Sequence, residues 1–484
     1  MSSSQIWLAA IGGIALLALV LLKSSGVIRY IPNDRLGVLE KLWSLKGSIS
    51  EGLIALEGEA GFQPEVLRGG FHFFFPFQYR VHQVPLVTIP QGQIGYIFAR
   101  DGVALLPTQT LASNETADDF ENTRAFIGNG GQKGPQRKIL REGTYAINLA
   151  QFIVLTQERF YAISLNLADG GVFEKMSEVV TSRQGFQPLV IKDSEDVIGI
   201  VTIHDGPALG QGEIIAPAVG NEANDPYFHN NFQDPQAFLR AGGYRGRQHQ
   251  VLVEGTYYLN RLFATVELVP KTVIDVGTVG VVVSYTGERG ADLSGGDYRH
   301  GELVEPGFRG VWSKPLLPGK YAFNTYAGKM VAVPTTNFVL KWNKDSTGPH
   351  KFDESLSEVG LITKDAFEPL LPLSVVVHID YMKAPLVVQR FGDVKRLVEQ
   401  TLDPMVSAYF KNIGQTKTLI QLLQERSDIQ RQSSDEMRAK FAAYSLELQE
   451  VLIGTPHAES SQTGIEQILA QLRDRQVAVE KIET

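Results

Sequence analysis

A strand, turn and strand written about four times along one chain restricts this sequence to a repetitive β-rich body more tightly than any other feature. One half of the unit reads TIPQGQIGYIFARDG from Thr88, KDSEDVIGIVTIHDG from Lys192, TVIDVGTVGVVVSYTG from Thr272 and, more weakly, YIPNDRLGVLEKLWS from Tyr30. The other half follows each of these: VLRGGFHFFFPFQYRVHQVPLVTI from Val66, ILREGTYAINLAQFIVLT from Ile139, VLVEGTYYLNRLFATVEL from Val251 and PLLPGKYAFNTYAGKMVAVPTTNFVL from Pro315. A glycine turn (Gly69, Gly143, Gly255, Gly319) separates an apolar strand from an aromatic one. The spacings of 74, 112 and 64 residues exclude a uniform solenoid and imply loops that differ greatly between copies. The recurrent glycine reads as a turn position that needs positive φ or no Cβ, rather than as a phosphate cradle.

In front of this body lies an uncharged run from Ile6 to Leu22. As a helix it measures about 25 Å, the short limit for crossing a hydrocarbon core. Ile6, Trp7, Leu8, Ile11, Ile14, Leu16, Leu17, Leu19, Val20, Leu21 and Leu22 are therefore the expected membrane anchor, spanning or half-inserted. A cleaved signal peptide fits less well, since no basic stretch precedes Ile6 and no small-residue cleavage site follows Leu22. Lys23, Arg29 and Arg35 all flank the run on its C-terminal side, which places the body in the cytoplasm by the positive-inside rule. In the strand Phe71 to Phe77, period two puts Phe71, Phe73, Phe75 and Phe77 on one face, enough for a core, and leaves Phe74 as the candidate membrane-interface residue.

Composition excludes several function classes. A net charge of -8 without a basic stripe opposes nucleic acid as a partner. The absence of cysteine removes disulfides, thiolate metal sites and thiol nucleophiles together. None of the nine histidines pairs with another at helical metal-ligand spacing, and neither H-E-x-x-H, G-x-S-x-G nor a Walker A loop occurs. GNGGQKG from Gly128 lacks the G-K-[ST] that grips phosphate and reads as a loop. The expectation is a non-enzyme with no catalytic, metal or cofactor residues.

Past Trp342 the pattern changes. Leu373, Val375, Val377, Ile379 and Tyr381 alternate as one face of a strand. Val394, Leu397, Val398, Leu402, Met405, Val406 and Tyr409 follow at helical spacing, with Asp393 as cap and Asp403-Pro404 as a restart or kink. A second helix starts at Thr416 or Thr418 and runs toward Phe441, and Leu446, Leu448 and Val451 suggest a further strand. Near the end, Ile465, Ile468, Leu469 and Leu472 make a narrow seam among charged residues, as at the start of a coiled coil joining subunits. The fold class is α+β.

The order of these pieces resembles the stomatin, prohibitin and flotillin superfamily, also called SPFH or band 7. The N-terminal apolar segment, YIPNDRLGVLEK, VLRGGFHFFFPF and VPLVTIPQG resemble its first subdomain; VVVHIDYMKAP, VQRFGDVKRLVEQTLDPMVSAYFKNIG and TLIQLLQERSDI resemble its second. Domains are thus expected at 1–25 (anchor), 26–110 (first SPFH-type β-unit), 111–342 (additional β-units), 343–455 (second, α/β subdomain) and 456–484 (coiled-coil helix). The resemblance, closest to flotillin-like proteins, implies a scaffold that self-assembles into a ring or cage around a membrane microdomain, with lipids and membrane proteins as partners. The alternative it implies is a regulator of a membrane protease.

Overall fold

The computed structural model describes residues 26–165, 167–296, 301–343 and 350–458, with Trp7, Gly12, Gly13, Val20, Gln467, Ala470, Gln471 and Asp474. It forms two compact units, residues 1–271 and 272–484. The first holds three copies of one five-stranded β-unit. In the first copy these strands are β1 (Ile28–Ile31), β2 (Arg35–Lys41), β3 (Gly61–Leu67), β4 (Gly70–Phe73) and β5 (Tyr79–Pro85). The second copy has β6 (Val87–Ile89), β7 (Tyr96–Ala99), helix α1 (Thr123–Gly128), β8 (Gly134–Pro135), β9 (Gly143–Tyr145) and β10 (Phe152–Leu155), with β11 (Phe160–Tyr161) added at its edge. After helix α2 (Leu167–Ser182) the third copy has β12 (Leu189–Ile191), β13 (Val197–Ile203), helix α3 (Pro235–Arg240), β14 (Gly246–Leu252), β15 (Gly255–Tyr257) and β16 (Ala264–Pro270). The fourth copy opens the second unit: β17 (Thr272–Ile274), β18 (Thr278–Ser284), β19 (Leu303–Val304), β20 (Gly310–Trp312), β21 (Gly319–Tyr321) and β22 (Gly328–Pro334).

All four copies share one topology. Leaving aside the edge strands β11 and β19, the first strand pairs with the fourth, and the second lies between the third and the fifth. Register aligns the copies residue by residue: Ile31, Ile89, Ile191 and Ile274 stand opposite Gly70, Gly143, Gly255 and Gly319. The recurrent glycine of the first copy is therefore Gly70, not Gly69. Positive φ at Gly70, Gly143 and Gly255 explains the residue type. Two residues on, the hydroxyls of Tyr145, Tyr257 and Tyr321 each donate to the carbonyl four residues back, and His72 makes the equivalent contact to Arg68 O.

A second glycine recurs on the central strand or immediately before it. A Cβ on Gly37 would lie 2.5 Å from Ile31 Cδ1 and 3.1 Å from both Leu67 Cβ and Val81 Cγ1. Gly95 and Gly280 lie equally close under Ile89 and Ile274, at 2.4 and 2.5 Å. Each isoleucine thus folds its two-stranded ribbon down onto the sheet through the space a side chain would fill. Gly37→Val is expected to cost about 1–3 kcal/mol by overpacking, read as a lowered thermal midpoint.

Consecutive copies in the first unit are clamped by repeated side chains. Buried Asn148 of the second copy donates through Nδ2 to Gln63 O and Pro64 O of the first, at 3.0 and 3.2 Å. Asn260 of the third does the same to Gln136 O and Arg137 O of the second, at 3.0 and 2.9 Å. Asp101 Oδ2 accepts from the Leu53 and Ile54 amides, and Asp205, the matching residue of the third copy, accepts from Thr110. The loops of these two copies also proved more alike than expected. DDFENTRAFIGNGG and NNFQDPQAFLRAGG each begin with three successive left-handed residues and continue into α1 and α3, burying Phe120 and Phe126 or Phe232 and Phe238.

The second unit joins the fourth copy to an α/β subdomain. Strands β23 (Phe338–Trp342), β24 (Val359–Gly360), β25 (Pro369–Leu371) and β26 (Leu373–His378) precede helices α4 (Ala384–Phe391), α5 (Val394–Leu397), α6 (Asp403–Thr416), α7 (Leu419–Gln424) and α8 (Arg426–Ala443). Strands β27 (Glu447–Ile453) and β28 (His457–Ala458) close it, in sheets ordered β23-β26-β27 and β24-β25-β28. As expected, Leu373, Val375, Val377 and Ile379 are buried, but Tyr381 is exposed. Asp380 accepts from the Met382 amide at 2.8 Å and turns the chain before Tyr381 can continue the strand. Asp393 and Thr418 cap α5 and α7 as expected. The long helix toward Phe441 is broken at Glu425, whose carboxylate returns to Lys417 at 2.5 Å. Trp342 Nε1 donates to Asp403 Oδ1 at 2.7 Å, tying β23 to α6 inside the core.

Among the described residues no helix is long and apolar enough to cross a membrane. Apart from helical Trp7 and Val20, the expected anchor residues lie outside the described residues, as do Ile465, Ile468, Leu469 and Leu472 of the expected seam.

Candidate membrane-docking face

Antiparallel pairing of β1 with β4 sets Ile28 opposite Phe73 and Tyr30 opposite Phe71. Because Ile31 and Gly70 face the sheet below, alternation turns Ile28, Tyr30, Phe71 and Phe73 outward. All four are exposed, Phe71 by 68% and Phe73 by 72%. The Tyr30 and Phe71 rings lie 5.0 Å apart. Beyond β4 the turn adds Phe75 and Phe77, both exposed. Trp43 meets Phe75 edge-on at 6.2 Å, and its indole N–H donates to Phe77 O at 3.2 Å. Phe77 holds φ at 57°, an unfavourable conformation for a bulky residue, while presenting its ring to solvent.

This reverses the sequence expectation for the strand. Phe71, Phe73, Phe75 and Phe77 are not core, and Phe74 is half-buried with its ring 5.3 Å from Tyr79. Alternation holds only within β4, where Phe71 and Phe73 face outward and the inward face is hard to recognise in the sequence because Gly70 and His72 occupy it; Phe75 and Phe77 lie in the turn beyond the strand. Comparison of the aligned copies carried the missing signal. Where the first copy has Tyr30 and Phe71, the others have Thr88 and Thr144, Val190 and Thr256, or Val273 and Lys320. Where the others have Asn148, Asn260 and Asn324, the first has Phe75. Asn148 and Asn260 grip the preceding copy.

Cations border the aromatic face. Lys41 Nζ donates to Gly58 O at 2.6 Å and Lys46 Nζ to Glu57 O at 2.7 Å, and both line a 370 Å³ depression with Trp43, Leu45 and Phe75. Backbone hydrogen bonding at Glu59, aided by the nearby lysines, holds the Glu59 carboxyl below the usual carboxylate range, so it stays charged beside them. The arrangement offers an apolar aromatic surface with a mixed-charge rim. Among the described residues no cluster of three histidines, aspartates or glutamates is placed to hold a metal.

Comparison with protein families matches residues 272–484 to the SPFH domain / Band 7 family. That span holds the fourth β-unit, the α/β subdomain and the segment after it. A search of curated proteins finds no match. Residues 272–484, somewhat under half of the chain, are therefore similar to the SPFH domain / Band 7 family, a likeness that suggests a membrane-associated, scaffold-type function at the level of the family.

Proposed function

We propose that this protein is a flotillin-like membrane scaffold whose copies assemble into a ring or cage around a patch of bilayer, gathering lipids and membrane proteins without chemistry of its own. The observation that carries the reading is the aromatic face of the first β-unit. Contiguous exposed aromatics are disfavoured in water and favoured at the headgroup level, where flat rings insert beside lysines. That face begins at Ile28, shortly after the apolar run Ile6 to Leu22, so anchor and docking surface are adjacent in the chain. In this reading the run holds the chain to lipid, the aromatic face rests on the interface, and the body lies on the cytoplasmic side. Lateral assembly closes because heterologous side-to-side contacts between identical subunits generate rings when the rotation closes, with the seam at Ile465, Ile468, Leu469 and Leu472 as one contact.

Leu17→Arg is expected to cost about 2.5–3.5 kcal/mol of insertion and to shift protein from the membrane to the soluble fraction. Unchanged fractionation at high salt would remove the anchor from this reading. Negative-stain images of detergent-extracted protein test the assembly: closed rings or cages are expected, and single particles at every concentration would refute it.

A further inference from the structure

The second and third β-units meet across a cleft of about 720 Å³, within the range of small-molecule sites. Because the copies align without gaps here, the same four positions can be compared at the junction before it. Between the first and second copies they are Glu65, Arg68, Glu121 and Arg124, and ion pairs bridge them: Arg124 to Glu65 at 2.6 Å and Arg68 to Glu121 at 3.8 Å. Partial burial pulls the Glu65 carboxyl upward, yet the Arg124 hydrogen bond and the backbone hold it below the usual range, as a closed pair requires.

Between the second and third copies the same positions are Lys138, Arg141, Gln233 and Gln236. Both carboxylates are gone, while the two cations remain: the one lost where Gln236 replaces Arg124 is regained where Lys138 replaces Glu65. Gln233 keeps the structural contact of Glu121, accepting from the Tyr258 amide at 2.9 Å as Glu121 accepts from Ala146 at 2.7 Å, so only the charge has been removed. Arg141 no longer has an acid across the junction; its guanidinium lies 3.8 Å over the Tyr258 ring, which orients its donor edge. The remaining acids are accounted for. Asp119 meets Lys138 at 2.7 Å and Glu142 meets Arg141 at 3.3 Å, both within the second copy, with Lys138 half-buried and the other three exposed. Glu115 pairs with Arg240, Asp234 caps α3, and Asp205 neutralises Arg137.

We infer that this cleft binds a small oxyanionic ligand, held through phosphate or carboxylate groups by Arg141 and Lys138. Arginine presents a fork matched to either group, and the largely exposed pairs that now occupy these cations are worth little, so a multivalent oxyanion displaces them. Isothermal titration of the full-length protein with inorganic pyrophosphate and with citrate tests this and separates the two sources. Saturable binding of at least one is expected, weakened at least tenfold by Arg141→Gln and by Gln233→Glu, the latter restoring the acid of the closed junction. Arg68→Gln, at the closed junction, should bind like the wild type, and thermal midpoints should confirm that each variant folds. Absence of saturable binding by either probe would overturn the inference. So would wild-type affinity in Arg141→Gln and Gln233→Glu, or an equal loss in Arg68→Gln.

Discussion

Asp205→Ala is expected to destabilise the first unit by about 3–5 kcal/mol, the cost of breaking a buried ion pair from one side. Asp205 is fully buried and Arg137 nearly so, with Oδ2 accepting from Arg137 Nε at 2.8 Å. Oδ1 meanwhile accepts from the Thr110 amide and hydroxyl at 2.9 and 3.0 Å. Truncation therefore strands a guanidinium and two further donors inside the junction of the second and third copies. Gln236 Oε1, 2.9 Å from Arg137 Nη1, is the one neutral partner this guanidinium keeps among these contacts. Denaturant melts would show a lower midpoint. A loss under about 1 kcal/mol, the scale of an exposed pair, would mean that water enters the junction and that the copies are not clamped there.

Changing Phe71, Phe73, Phe75 and Phe77 together to Ser is expected to leave the fold intact while sharply weakening membrane contact. These rings are exposed in the free subunit, and surface substitutions away from special features move stability by about 0.5 kcal/mol or less each. At the bilayer even about 1 kcal/mol per ring, below the 1.5–3 kcal/mol of full burial, makes four rings worth roughly three powers of ten in partitioning. The effect is read most cleanly in a Leu17→Arg background, where the apolar run contributes least. Vesicle flotation should fall with the thermal midpoint held. A collapsed midpoint with normal flotation would assign the rings to packing instead.

The sequence made the repeat legible because its glycines, tyrosines and isoleucines are fixed by backbone geometry. Gly143 and Gly255 need positive φ, Tyr145 and Tyr257 return to a carbonyl, and Ile89 and Ile274 fill the space above Gly95 and Gly280. The α/β subdomain was readable for a similar reason, since Asp393 and Thr418 mark helix starts by hydrogen bonds local in sequence. The direction in which the Phe71 strand faces was not local. It depends on Ile31 of another strand standing opposite Gly70, a register that hydrophobic alternation alone leaves open. The kinship of the loops at Asp118 and Asn230 was hidden because DDFENTRAF and NNFQDPQAF share few identities while keeping the same left-handed start and the same buried phenylalanines.

Because the chain has no cysteine, single-cysteine labelling places a reporter without altering a native thiol. A polarity-sensitive fluorophore on Phe71→Cys, compared with one on the aligned Thr256→Cys of the third copy, measures directly whether the first β-unit docks on lipid. On vesicles carrying a lipid-phase quencher, the label at position 71 should shift to shorter wavelength and be quenched, while the label at position 256 should do neither. Equal, water-like emission at both positions in membrane-bound protein would contradict the account, leaving the aromatic face for a protein neighbour.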